Sequence, residues 1–547
     1  MNKDKMIKDG RLTPEALIER YDTLKGERGA WESHWQEICD YILPNRNTIT
    51  AEKTEGEKKF DKLLDNTGVQ ANELLTGAIN SMQVHTGGEF FGLTTGDERL
   101  DNEDDVRQWM QRTVRSMHNV LTNSNFFTEN HEKDLDQCAI GTACMSMEAD
   151  DKDVVRFSTK FIGEYLIDED HMGRVNQIYR AFQWSVEKII GKFGYDAMPA
   201  DLKKDWDKGE FGKKYTVMQG IYPASLVQEK PTGTVRKFID QYIIREAKFE
   251  IQHGNFDTFP YLVPRWSKAA GEKYGRGPGS VALPECRVLN KMNETMLIGA
   301  QKAVDPPVQV SDDGFILPLI TTPGGVNYRR SGDPDDLIRP IFNDTRLDFG
   351  YQALEDRRKR IRDAFYVDQL RLQQGGPMMT ATEVMQRTEE QLRLLGPILG
   401  RQQAEFLKPM VDRLFDLMWK RGMIEQPPAI LQGRDLGVRY SSFMAKAQRA
   451  TEGQSIMRWL EAVSPFINLN NAVSDVIDTD AAPRILAGIF NPPQELIRNK
   501  DAVDKMRQER AAQAQQMQQT QQALADAQAG AQITQAMGAM GGTQQTG

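Results

Sequence analysis

A glycine-rich stretch is the first place in the chain where the residue types and their spacing could do chemistry. The segment "EKYGRGPGSVALPECRVLNKMNE", residues 272–294, places Gly275, Gly277 and Gly279 ahead of a helical pattern. A glycine loop that opens a helix is typical of phosphate binding, because unpaired N–H groups face the anion. The segment lacks the G-x-x-x-x-G-K-[ST] motif, Pro278 removes one N–H group, and no parallel βαβ pattern surrounds it. We therefore favour a tight turn or joint over a nucleotide site.

Possible metal ligands are few and poorly spaced. Cys138 and Cys144 with nearby His131 lack the paired Cys-x2-Cys spacing and a fourth ligand for zinc, so buried free thiols are favoured. The same is expected of Cys39 and Cys286, since four cysteines at this length form no disulfide framework. The acidic runs at 101–107 and 168–171 could hold Mg²⁺, but a helix N-terminus and a polar turn explain them better.

One basic cluster stands out in "EDRRKRIRD". Its five cations lie on all sides of a predicted helix: Arg357, Arg358, Lys359, Arg360 and Arg362. Each residue alone is explained by a solvated helix surface with local Glu and Asp partners. For the cluster as a whole, contact with phosphate or with a neighbouring subunit is favoured, because five cations on a bare helix repel one another.

The whole-chain composition limits the class of protein. The chain has 547 residues, of which 39% are hydrophobic and 27% are charged. This length and composition predict a folded protein of several subdomains without a membrane span. The N-terminus has no apolar signal-peptide core, so synthesis without export is expected. A net charge of −9 argues against nonspecific coating of nucleic acid, but it permits nucleic acid to slide past. The sequence contains no H-E-x-x-H zinc motif and no G-x-S-x-G hydrolase motif, and nothing demands an enzyme.

Helices at both ends enclose a strand-rich block. An apolar stripe predicts one helix from Thr13 to Pro44, and others follow at about 68–83 and 102–122. From 142 to 267 the period changes to alternation, which predicts strands, with "DEDHMGR" as a turn. The order favours an α+β rather than a βαβ architecture.

Two long helices are predicted on either side of a small β insert. The first has Pro284 in its first turn and ends before "DPP" at 305–307, and the second covers 346–370. Residues 305–345 read as short strands broken by turns. "RLQQGGPMMT" then breaks the second helix, and a further helix begins at Thr380 or Thr382 and continues to about 421, with kinks at Pro397 and Pro409.

The C-terminal tract from about residue 511 is rich in Ala and Gln. Met517, Leu524 and Ala531 lie seven apart, as in a helix of a multi-chain bundle. A solvated, disordered tail fits the composition equally well.

Several stretches taken together resemble the portal proteins, or head-to-tail connectors, of short-tailed, podovirus-type bacteriophages. They run in family order from about residue 13 to 450: "RYDTLKGERGAWESHWQEICDYILPNR", "DNTGVQANELLTGAINSM", "EYLIDEDHMGRVNQIYRAF", "YGRGPGSVALPECRVLNKMNE", "MMTATEVMQRTEEQLRLLGPILGRQQAEFLKPMVDRLF" and "VRYSSFMAKAQRA". None is a catalytic motif, and the signal lies in their number and order.

The resemblance implies a ring, usually of twelve subunits, at one capsid vertex, with a central channel through which double-stranded DNA is packaged and ejected. It implies this division: wing 1–275, first stem helix 276–304, clip 305–345, second stem helix 346–370, channel loop 371–379, wing helix and following segment 380–455, and helical crown with its tail 456–547. The channel loop would place flexible, mostly uncharged residues against DNA: Arg371, Gln373, Gln374, Gly375 and Gly376. Gly275, Gly277 and Gly279 would form the joint between wing and stem.

The resemblance also implies the partners of the ring. Portal proteins have no enzymatic activity and no cofactor, and a separate terminase motor hydrolyses ATP. The expected partners are the terminase, the major capsid protein, a scaffold protein and tail adaptor proteins, and no membrane. The location is the virion, after assembly in the host cytoplasm.

Two alternatives belong to other classes. A packaging nuclease or ATPase is disfavoured by the missing Walker and metal motifs. An internal scaffold is disfavoured by the β insert between two long helices.

Overall fold

The chain is seen in a computed structural model that describes residues 6–46, 48–50, 56, 58–60, 63–84, 88–101, 103–227, 237–304, 308–309, 339–340, 347–370, 395–431, 437–440, 453–465, 477–478, 481–490 and 503–521. The chain divides into two compact units. The first unit holds residues 1–93, 112–426 and 438–443, and the second holds 94–111, 427–437 and 444–547.

Both helices and strands are present, in agreement with the predicted α+β class. The described helices are Pro14–Glu27, Gly29–Tyr41, Thr67–Gln83, Glu98–Asp101, Asp104–Asn123, Phe126–Ile140, Val186–Phe193, Ala200–Asp207, Pro278–Val304, Leu347–Ala364, Val367–Leu370, 395–402, Lys408–Lys420, 453–465, Ala481–Phe490 and 503–521. The strands are β1 Ile7–Lys8, β2 Arg11–Leu12, β3 Phe91–Thr94, β4 Cys144–Asp150, β5 Val154–Lys160, β6 Tyr165–Glu169, β7 Val175–Ser185, β8 Lys214–Pro223, β9 Phe238–Ile244, β10 Phe249–Phe256, β11 Tyr261–Leu262, β12 Val308–Gln309, β13 Arg339–Pro340 and β14 Gly437–Tyr440.

A five-stranded antiparallel sheet forms the centre of the first unit, in the order β10-β9-β8-β7-β6. Adjacent residues of β8 pack in different hydrophobic clusters, because successive side chains of a strand point to opposite faces of the sheet. Met218 packs with Leu17 and Tyr21 of the first helix, whereas Val217 packs with Ile189 of Val186–Phe193. The sheet is therefore buried on both faces. A smaller sheet, β11-β4-β5, lies within the same strand-rich block that the sequence predicts.

The first predicted helix is wrong in one respect, because it breaks into two at Arg28. Arg28 is only 1% exposed, and its guanidinium donates to the carbonyl oxygen of Ile162 at 2.9 Å and to Glu32 at 2.6 Å. A buried arginine needs such acceptors, and the carbonyl oxygen of Ile162 supplies one from outside the two helices. The predicted helices at 68–83 and 102–122 are confirmed at Thr67–Gln83 and Asp104–Asn123.

Two further helix boundaries differ from expectation. The first long helix, Pro278–Val304, begins six residues before Pro284, because Pro278 itself takes the first helical position that proline favours. The second long helix, Leu347–Ala364, ends before Tyr366, whose φ is +58°, and a short turn of helix follows at Val367–Leu370. In the predicted insert between the two helices, β12 and β13 pair antiparallel.

The predicted irregularity near Pro409 takes the form of a π turn at Gln403–Leu407, directly ahead of Lys408–Lys420. Proline cannot donate to the preceding turn, and its ring crowds the carbonyl four residues earlier, so a wider turn relieves the clash. Pro397 lies inside the described helix 395–402.

Candidate functional site

The three glycines of the opening stretch pack against the end of another helix. We call Gly275, Gly277 and Gly279 the glycine junction, and Phe126–Ile140 the polar helix. A methyl group on Gly279 would lie 2.2 Å from the carbonyl oxygen of Ala139, and one on Gly277 would lie 2.8 Å from that of Cys138. The start of the first long helix thus contacts the carbonyl end of the polar helix, which also brings opposite ends of two helix dipoles together.

Backbone hydrogen bonds hold the junction in place. Gly141, with a φ of +97°, ends the polar helix, and its carbonyl accepts from Trp266 N–H at 2.8 Å. Gly275 N–H donates to the hydroxyl of Thr142 at 2.7 Å, and Arg276 N–H donates to the Ser267 carbonyl at 2.8 Å. Close backbone approach explains the glycines without a phosphate, so the junction is a fixed joint and not an open anion cradle.

Arg265 forms the ionic centre beside the junction. Its side chain is 2% exposed, and its Nη2 lies 2.7 Å from Oε1 of Glu405 in the π turn. The same guanidinium pairs with Glu169 and donates to the carbonyl oxygens of Gly173 and Lys273. One buried cation therefore joins the sheet edge, the loop before the junction and the π turn.

The buried polar helix itself was missed by the sequence reasoning. Its residues Lys133, Asp134 and Asp136 are each at most 1% exposed. Lys133 Nζ lies 2.6 Å from Asp134 and 3.7 Å from the centre of the Phe406 ring, so it stays paired inside the core. Arg46 Nε lies 2.8 Å from Asp136, yet burial dominates and raises the pKa of Asp136 to about 7.

The two long helices pack together antiparallel within the first unit. Met296 faces Gly350, where a methyl group would lie 2.2 Å from the methionine sulfur, and Glu285 pairs with Arg357 at 2.8 Å. The higher-numbered residue of the first helix thus meets the lower-numbered residue of the second, as antiparallel packing requires. Asp65 contacts both helices, because its Oδ2 accepts from Asn293 at 3.0 Å and from Arg358 at 2.9 Å.

Intrachain carboxylates neutralise most of the basic cluster. Besides Arg357, Arg360 lies 3.6 Å from Glu285, Arg358 pairs with Asp65, and Arg362 lies 2.7 Å from Glu355. Burial alone would raise the pKa of Asp65, but hydrogen bonds from Thr67, Arg358 and Asn293 outweigh it and hold that pKa below its usual value. Lys359 is exposed and has no carboxylate within 4 Å among the described residues. The mutual repulsion of the five cations is therefore largely relieved inside the chain, and an interface role stays a prediction.

The predicted channel-loop residues lie outside the described residues, in 371–394. These residues are Arg371, Gln373, Gln374, Gly375 and Gly376, and their role stays a prediction.

The metal candidates are accounted for by structural contacts. All four cysteines are buried free thiols, and no cluster of metal-ligating side chains occurs in the described part of the chain. Asp168 pairs with Arg20 and Lys273, and Asp170 accepts from the backbone N–H groups of Met172 and Arg174, as in the predicted polar turn. Among the described residues, no helix combines the length and the apolar content that a membrane span requires.

Comparison with known proteins gives the family. The family described as "Bacteriophage head to tail connecting protein" matches residues 14–497. The chain is 31% identical over 512 residues to a "Probable portal protein" of Bordetella phage BPP-1, covering 92% of each chain. It is 27% identical over 532 residues to a "Portal protein" of Salmonella phage epsilon15, covering 95% of this chain and 94% of that protein. Both named relatives come from podoviruses. The chain belongs to the family of bacteriophage head-to-tail connecting proteins, the portal proteins.

Proposed function

We propose that this chain is one subunit of a portal ring at a single capsid vertex, and that the ring forms the channel through which double-stranded DNA is packaged and ejected. The observation that carries the proposal is the similarity to two portal proteins over more than nine tenths of the chain. The family match over residues 14–497 includes the packed pair of long helices, an element suited to line a channel when it repeats around an axis.

The proposed division assigns the stem to 276–304 and 346–370 and the clip to 305–345. It is supported by the positions of Pro278–Val304 and Leu347–Ala364, and by the small antiparallel pair of β12 and β13 between them. Residues 1–275 and 380–455 form the wing, and 456–547 form the crown and its tail. The glycine junction then fixes the stem to the wing.

Segment 371–379 is the proposed channel loop. Gln373, Gln374, Gly375 and Gly376 carry no charge, and Arg371 is the one cation of the five named loop residues. Affinity for DNA rises with the number of phosphates neutralised by cations, so such a loop lets DNA slide without holding it. The net charge of −9 favours the same behaviour.

The proposed partners follow from the place of the ring. The clip binds a terminase motor during packaging and tail adaptor proteins afterwards, and the wing contacts the major capsid protein while a scaffold protein guides assembly in the host cytoplasm. The ring itself is a conduit without catalytic residues or cofactor.

The loop assignment is tested by replacing Gly375 and Gly376 together with Trp. We expect ring formation to persist, while DNA retained per capsid, measured by nuclease protection, falls severalfold because bulky side chains narrow the passage. Gly212→Trp is the matched control, since Gly212 is exposed, has no atom within 4 Å of an added methyl group and should package normally. Loss of the ring in the double variant would mean that the loop is structural, and normal DNA retention would remove it from the channel.

A further inference from the structure

The first long helix carries exposed apolar side chains on two different flanks. Met296 marks the direction of the second long helix, through its contact with Gly350. At about 100° per residue, Val281 and Val288 are rotated from Met296 by about 60–80° in one sense. Leu297 and Val304 are rotated by about 80–100° in the other sense. We call the first pair flank one and the second pair flank two.

All four side chains are exposed to an extent unusual for apolar residues on a packed helix. The exposed fractions are 69% for Val281 and 42% for Val288 on flank one, and 54% for Leu297 and 80% for Val304 on flank two. Exposed apolar residues that recur at one helix position indicate a surface that another element covers.

Flank two continues a stripe that is already used for packing. Nearer the start of the helix, Cys286 lies on this flank and is only 6% exposed, and Asn293 contacts Asp65. From Leu297 onward no described residue buries the flank. The stripe of flank two is therefore buried in the first part of the helix and continues, exposed, at Leu297 and Val304.

Resting on the proposed ring, we infer that flank one and flank two bind the two neighbouring copies of this chain, flank one of each subunit lying on the flank-two side of the next. A two-fold dimer uses one surface twice, whereas a closed ring needs two different surfaces on every subunit. Two apolar flanks on nearly opposite sides of one helix meet that requirement, and a partner that binds one side only would leave the other uncovered.

The charges on the helix pair are compatible with such an apolar contact. Glu285 pairs with Arg357 and Lys291 pairs with Glu294 within the chain, so a neighbour does not have to compensate these ions. The centres of the two flanks lie about 24 Å apart along the helix, so direct contact between them requires helix pairs inclined to the ring axis.

The test uses one charged substitution on each flank of the full-length protein, Val288→Asp and Leu297→Asp. Each variant alone should stay monomeric in native mass spectrometry while wild type forms rings. Mixed together, the two should form dimers that grow no further, because only flank one of Leu297→Asp and flank two of Val288→Asp are intact. Ile298→Asp is the matched control on the same helix, since Ile298 is 44% exposed, points away from the second helix and lies on neither flank.

Each outcome bears on a separate claim. Wild-type rings together with unimpaired rings of both variants would overturn the flank assignment and leave the proposed ring standing. Variants that stay monomeric when mixed, although circular dichroism shows them folded, would overturn the head-to-tail pairing of the flanks. Wild-type protein that forms no ring would instead contradict the proposed function on which this inference rests.

Discussion

Gly279 lies where the first long helix meets the polar helix, and its role follows from the absence of a side chain. Its nearest neighbour is the backbone of Ala139, which cannot rotate away as a side chain would. The sequence pattern predicted that the glycines form a joint. It could not predict the contact, because Gly141 and the polar helix lie more than a hundred residues earlier in the chain.

Gly279→Ala should therefore destabilise the protein by about 1–3 kcal/mol, since the added methyl group overpacks the junction. Gly77→Ala, in the helix Thr67–Gln83, meets no atom within 4 Å and should stabilise by about 0.5–1 kcal/mol. Urea unfolding of both variants measures the difference, and equal stabilisation of the two would contradict the close contact.

Asp136 should give the stability of the protein a dependence on pH. The folded state holds its proton up to about pH 7, whereas the unfolded chain releases it near pH 4. The contribution of Asp136 to stability is thus fully present below about pH 4 and is lost as the pH rises to about 7, by at most about 1.4 kcal/mol per pH unit.

Asp136→Asn removes this titration and keeps an acceptor for Arg46, so its free energy of unfolding should improve relative to wild type from pH 5 to pH 7. Asp201→Asn makes the same substitution at a side chain that is 75% exposed, and it serves as the surface control. A constant difference for Asp136→Asn over the same range would show that Asp136 is already ionised at pH 5.

At the scale of elements, the polar helix shows why sequence reasoning fails for particular segments. "FFTENHEKDLDQCAI" has the composition of an exposed helix, yet Asn130, Lys133 and Asp134 are fully buried. Hydrophobic periodicity detects only helices that bury apolar side chains, and buried ion pairs and amides escape it. The paired long helices carry a regular apolar stripe, and both are found where the sequence predicts a long helix.

The pairing of the long helices should depend on Asp65, whose side chain is 7% exposed and accepts from both of them. Asp65→Asn places an amide against the donors of Asn293 and Arg358, and it should cost about 2 kcal/mol of stability. Glu294→Gln breaks the exposed pair with Lys291 on the same helix and should cost less than about 0.5 kcal/mol. Equal unfolding free energies for the two variants would mean that Asp65 does not hold the helices together.

At the scale of the whole molecule, the order of the quoted stretches predicted the family, and the comparisons confirm it over residues 14–497. Ring formation is a property of several chains. In a single subunit we see only exposed apolar side chains that a neighbour would cover, such as the valines and leucine of the two flanks. Neither periodicity nor composition can give the number of copies that close the ring.

Ring formation is measured by native mass spectrometry of the purified wild-type chain, with electron micrographs of the same sample. We expect a closed ring with a central hole wide enough for double-stranded DNA, and a mass near twelve times the 62.1 kDa of one subunit. A stable monomer of 62.1 kDa at every salt and protein concentration tried would contradict it.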